Sequence, residues 1–180
     1  MRAFVAIDVG APSSPTDEPG SARPPVHLTL RFLGEVAQDR GGSIAAVLRD
    51  AVAPLAPFDV TLEGVGAFPS RKTPRVVWVG ATAGGAELIG LAHRVASALA
   101  ELGFPPETTE FVPHVTVLRV RSARDRERAR RLLDGTEGAP APRTVHVAEV
   151  LLKESTLTST GPVHRTLESF PLRGARVAAD

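Results

Sequence analysis

The chain has 180 residues, a formal net charge of +1, and 43% apolar and 23% charged residues, the proportions of an ordinary globular protein long enough to bury a core. The near-neutral balance excludes a strongly basic nucleic-acid binder on totals alone, and the lack of cysteine excludes disulfides, thiolate nucleophiles and cysteine-type zinc sites. No apolar run approaches the roughly 20 residues of a membrane span, and Met1–Val9 runs into Gly10 and a Pro/Ser stretch without the pattern of a secretory leader, so a soluble, cytoplasmic protein is expected.

In chain order, Arg2–Val9 is a short β-prone apolar run and predicts a strand. Gly10–Pro25 holds five prolines among Ser, Gly and Asp and predicts a loop. A second strand is expected over about Val26–Leu33, ending at Gly34. Ile44, Val47, Leu48 and Ala51 recur at helical spacing, with Ser43 as a candidate cap and Pro54 and Pro57 as the stop. Strands follow over Phe58–Val65 and Arg75–Val79. Glu87–Leu102 carries an apolar stripe of Leu88, Leu91, Val95, Leu99 and Leu102, with Gly103 placed to end the helix. Then come a strand over about Phe111–Val120, an Arg-rich helix over about Ala123–Leu133, and two late strands near Arg143–Leu152 and Val163–Phe170.

Two of these strands spell nearly the same word, His27-Leu28-Thr29-Leu30 and His114-Val115-Thr116-Val117. Side chains alternate across a strand, so each His shares a face with its Thr while the intervening apolar residues face the other layer. Two such ribbons side by side line one cleft with two imidazoles and two hydroxyls. Histidine titrates near neutrality and serves as acid or base, and hydroxyls can donate to phosphate oxygens that gather charge in a transition state. The pattern suits acid–base chemistry on a phosphate. No carboxylate or cysteine sits at ligand spacing beside either pair, so neither a metal nor another cofactor is expected. The order of elements in the two halves is loosely duplicated. It predicts a single α+β domain over 1–180, bilobed, with two pseudo-symmetric lobes of antiparallel sheet, helices outside and the active-site cleft between them.

These segments and their flanks resemble the two-histidine phosphoesterases, specifically the RNA 2′,3′-cyclic phosphodiesterases, also described as RNA 2′,5′-ligases. The resemblance runs from Met1-Arg2-Ala3-Phe4-Val5-Ala6-Ile7-Asp8 through His27–Val36, Gly66-Ala67-Phe68-Pro69, Pro74–Gly80 and Pro113–Val120. It continues to Leu152-Lys153-Glu154-Ser155, Gly161-Pro162 and Phe170-Pro171-Leu172. It implies hydrolysis of 2′,3′-cyclic phosphate ends of RNA or nucleotides to 2′-phosphates by a metal-independent monomer. His27 would be the proton donor to the departing 3′ oxygen and His114 the proton acceptor from water; the residues themselves leave that order open. Phe32 and Arg119, each five residues beyond its histidine, would be two sides of a nucleobase clamp. Strict alternation turns both away from the cleft, so a bulge or a strand end must intervene.

The chain departs from the family pattern twice. The Pro-rich Gly10–Pro25 stands where the family has a helix, and His164 stands where it tends to carry Tyr, a change read as packing or surface. His93 reads as a helix-surface residue and His146 as a sheet residue. Trp78 reads as core, and the arginines between 121 and 131 as a solvated face. Rival readings are reversible RNA 2′,5′-joining, a nucleotide- or RNA-binding module without turnover, and a metal-dependent esterase.

Overall fold

The computed structural model describes residues 1–10, 26–138, 140–159 and 161–175; most of the predicted Gly10–Pro25 loop lies outside them. The elements are β1 (Arg2–Asp8), β2 (His27–Glu35), α1 (Gly41–Val52), β3 (Phe58–Phe68), β4 (Val76–Ala81), α2 (Gly85–Ala100), β5 (His114–Arg119), α3 (Ala123–Asp134), β6 (Arg143–Val147), β7 (Glu149–Thr158) and β8 (Gly161–Pro171). They form two four-stranded sheets, β2-β1-β7-β8 and β5-β4-β3-β6, in which every pairing is antiparallel.

The expected bilobed α+β architecture is observed, but the halves of the chain are not the lobes. Each sheet takes two strands from either half of the sequence. The long run predicted as one strand over Arg143–Leu152 is two, broken at Ala148: β6 pairs with β3 in one sheet, and β7 pairs with β1 and β8 in the other. The period changes there, from the alternation of Val145 and Val147 in β6 to the continuous buried run Val150–Lys153 in β7, but both patterns read as strand, and only the partner strands separate them. Read from the His-Thr edge, the two sheets are equivalent: β2 matches β5, β1 matches β4, β7 matches β3 and β8 matches β6. Each His-Thr strand is therefore an edge strand, and the two edge strands approach one another between the sheets.

One apolar cluster joins the sheets to two helices. Val5, Ile7 and Leu28 of one sheet and Val60, Val79 and Val115 of the other meet Ile44 and Leu48 of α1 and Leu88, Leu91, Val95 and Leu99 of α2. A smaller cluster sets Ala129 and Leu132 of α3 on Val77. Ser122 caps α3 with a reciprocal Asp125 box, and Gly103 lies in the left-handed region after α2, as its position in the sequence predicts. Ser43 does not cap α1: a 3₁₀ turn over Gln38–Arg40 runs directly into Gly41, leaving no extended residue to act as a cap.

Candidate active site

The strand registers decide which side chains share the cleft. In β1 against β2, Asp8 pairs with His27, Ala6 with Thr29 and Phe4 with Phe32, with an irregularity between Val5 and Ala6 that leaves Leu30 unmatched. In β4 against β5, Gly80 pairs with His114, Trp78 with Thr116 and Val76 with Arg119, with an irregularity between Val77 and Trp78 that leaves Val117 unmatched. Phe4, Ala6 and Asp8 share one face, as do Val76, Trp78 and Gly80. Their partners His27, Thr29 and Phe32, and His114, Thr116 and Arg119, therefore share the corresponding faces. A β-bulge at the same place in each motif, one residue after the threonine, resets the alternation. It brings Phe32 and Arg119 onto the faces of their histidines.

The imidazole of His114 is oriented by its backbone. Its Nδ1 lies 2.8 Å from the carbonyl oxygen of Val112; a carbonyl only accepts, so Nδ1 carries the hydrogen and the neutral ring keeps its lone pair on Nε2. The ring stands edge-on to Phe68, with centroids 5.0 Å apart, and 6.1 Å from Trp78. Burial, the largest influence, holds its pKa below the usual histidine value; the Val112 bond opposes that shift and the Arg119 charge adds to it.

Trp78 is not simply core. It shares the face of His114 and lies over Gly66, where an added Cβ would stand 2.2 Å from the indole, so glycine there makes room for the ring beside Phe68 and His114.

His27 has a different surround. Its ring packs on Phe4 at 4.9 Å and meets His164 edge-on at 4.9 Å, and its buried Nδ1 has no hydrogen-bond partner among the described residues. Its pKa is lowered to about 4, first by burial, then by His164 and Lys153, with Asp8 opposing and Arg119 adding to the shift. The free ring is neutral at pH 7.

Lys153 is a site residue that motif reading passed over. Although a lysine, it is only 3% exposed, opposite Phe4 in the register, with Nζ 3.2 Å from Asp8 Oδ1 and 3.1 Å from Thr166 Oγ1. A buried lysine needs such a partner. The signal available beforehand was a lysine directly after the apolar run Val150–Leu152, in a chain with only one other lysine.

Arg119 ties the two halves together. Its charge disfavours a proton on His27, on His114 and on His164 alike, so all three imidazoles lie within reach of one guanidinium. Together with the approach of β2 to β5, this sets the two motifs on neighbouring sheet edges. His164, read as a packing or surface change, is exposed and packs its ring against His27 and Phe4. His146 is a sheet residue bonded to Asp59 at 2.7 Å, and His93 lies exposed on α2, both as expected. In α3 the arginine run is largely committed to ion pairs, Arg128 and Arg131 with Glu137 and Arg130 with Glu127. No described helix is long and apolar enough to cross a membrane.

Known proteins are similar to this chain in sequence and fold. The family model described as the 2′-5′ RNA ligase superfamily matches residues 12–155. An RNA 2′,3′-cyclic phosphodiesterase of Aeropyrum pernix is 40% identical over 143 residues, 78% of this chain and 78% of that protein. One of Aquifex aeolicus is 37% identical over 155 residues, covering 83% and 79%. Among solved structures, TT0787 of Thermus thermophilus superposes with a TM-score of 0.71 at 26% identity, covering 98% of this chain and all of that one. E. coli LigT complexed with NADP+ superposes with a TM-score of 0.67 at 26% identity, covering 95% and 96%.

Proposed function

This chain belongs to the 2′-5′ RNA ligase superfamily, and from that membership and its bulged twin motifs we infer that it is an enzyme hydrolysing 2′,3′-cyclic phosphate ends of RNA or nucleotides to 2′-phosphates. The observation that carries the reading is the paired bulge. It puts an imidazole, a hydroxyl and the residue five places beyond the histidine on one face of each edge strand, which supports a shared site with Phe32 and Arg119 as its clamp.

In this reading water attacks phosphorus in line with the 3′ oxygen. A new P–O bond forms as the P–O3′ bond breaks, the water proton passes to His114, and His27 gives its proton to the departing oxygen. The Val112 bond supports His114 as acceptor, since it leaves Nε2 free to take a proton. The cationic surround of His27 supports it as donor, because an ion next to Lys153 and Arg119 must be accompanied by the substrate's negative charge to be stable. Thr29 and Thr116 donate to the non-bridging oxygens, while Phe32, 61% exposed, and Arg119 hold the base between them. The proposal includes a single cytoplasmic domain over 1–180 acting as a monomer without metal.

A 5′-hydroxyl of a second RNA in place of water would run the same chemistry as 2′,5′-joining, a reading that the superfamily's description favours as an alternative. The test is product analysis of an RNA ending in 2′,3′-cyclic phosphate, with and without a 5′-hydroxyl acceptor and in the presence of a strong chelator. The expected product is a chelator-insensitive 2′-phosphate. A linked product that dominates whenever acceptor is present supports joining, and loss of activity in chelator ends the metal-free mechanism.

A further inference from the structure

The third histidine is placed by the strands, not by a motif. His164 on β8 stands opposite Ser155 on β7, two places along from the Lys153–Thr166 pair on the same face, and β7 carries that face on to Phe4 of β1. Its ring meets His27 at 4.9 Å with planes 88° apart, and Phe4 at 5.0 Å with planes 77° apart. Phe4 in turn touches His27 at 4.9 Å, so the three rings form a closed cluster. Among the described residues His114 has no such counterpart: its ring neighbours are Phe68 and Trp78, neither of which titrates near neutrality.

We propose that His164 is a positioning residue for His27, holding that ring edge-on and setting, through its own charge, how readily His27 carries a proton. An uncharged aromatic ring beside an imidazolium is favourable, whereas a second imidazolium at the same place repels it. The charged and titratable groups bearing on His164 are His27 from β2, Lys153 from β7 and Arg119 from β5, and Asp8 from β1 bears on His27. Its neighbour Arg165 is bonded to Glu154 instead, a pair whose place in the register puts it on the other face. Burial, then Lys153 and Arg119, hold the His164 proton off below the usual histidine range. At neutral pH His164 therefore presents a neutral ring to His27, and on acidification it becomes a competing cation.

The test is a charge series at one position, H164F, H164K and H164E, in the full-length protein. Two measurements follow it: the NMR titration of His27 in the free protein, and the pH dependence of kcat on a nucleoside 2′,3′-cyclic phosphate. His27 should titrate at the lowest pH in H164K, higher in H164F than in the wild type, and highest in H164E. The charged variants should differ from H164F by about one pH unit or more, as expected for a unit charge roughly 5 Å away near a protein surface. The alkaline limb of kcat should move in the same order. If a charged variant does not fold, wild type against H164F on acidification carries the test, because only the wild type gains a charge at that position.

A His27 titration unchanged across the series, or an order unrelated to charge, overturns the inference. The rate profile also rests on His27 being the proton donor. If the NMR titration follows the charge while the alkaline limb stays put, the inference stands and that role assignment falls.

Discussion

The strongest quantitative consequence of this cleft concerns the protonation of His27. In the free protein its pKa is about 4, far too low for a ring that must hold a proton at neutral pH. One negative charge bound about 4 Å away, at the effective dielectric of about 20 that describes such sites, stabilises the imidazolium by about 4 kcal/mol. At about 1.4 kcal/mol per pKa unit this raises the value by about three units. A bound phosphate should therefore bring His27 from about 4 to about 7, so that the substrate itself creates the acid.

The assay is ¹H–¹³C NMR of histidine-labelled protein, titrated free and saturated with a nucleoside 2′-monophosphate, with H27N to assign the signal. A His27 signal that still titrates near 4 with the nucleotide bound would refute the reasoning. Stability gives a second readout, with its sign set by linkage. The folded ring resists a proton that the unfolded ring accepts near 6.5, so stability is full above that pH and lost as pH falls from about 6.5 toward 4. The bound nucleotide should delay that acid loss.

Three further outcomes follow from named contacts. Replacing His27 or His114 by alanine should lower turnover by about 10²–10⁴-fold while leaving nucleotide affinity, measured by calorimetry, within a few-fold; full activity in either variant would remove it from the chemistry. F32A and R119A should raise KM more than they lower kcat, each by a factor in the range of about five to a hundred, the range of a lost base-stacking contact. D8A strips the carboxylate from a lysine that is 3% exposed, so it should destabilise by about 3 kcal/mol or more; D8A combined with K153M should recover most of the loss in a chemical denaturation series.

Much of this protein is legible in its chain. The His-Thr pairs, the helix carrying the Leu88–Leu99 stripe, the Arg-rich helix near Ala123–Leu133 and most strands follow from residue spacing, because burial against one layer imposes a period that a sequence displays. The pairing of strands is not displayed. Ala148 looks like any strand residue, yet there the chain leaves one sheet for the other, a choice made by partners more than a hundred residues away in the case of β1. A bulge is equally silent: Leu30 and Val117 are ordinary apolar residues, and only the opposing strand shows that each is the extra one.

By itself the sequence determined the chemistry on offer, since two imidazoles and two hydroxyls at a spacing of two must share a strand face. Tertiary structure alone decided what surrounds them. It turned Phe32 and Arg119 into the cleft, slid Lys153 beneath it and pressed His164 against His27, because cross-strand neighbours are set by register, and register is a property of pairs of strands that no single segment encodes.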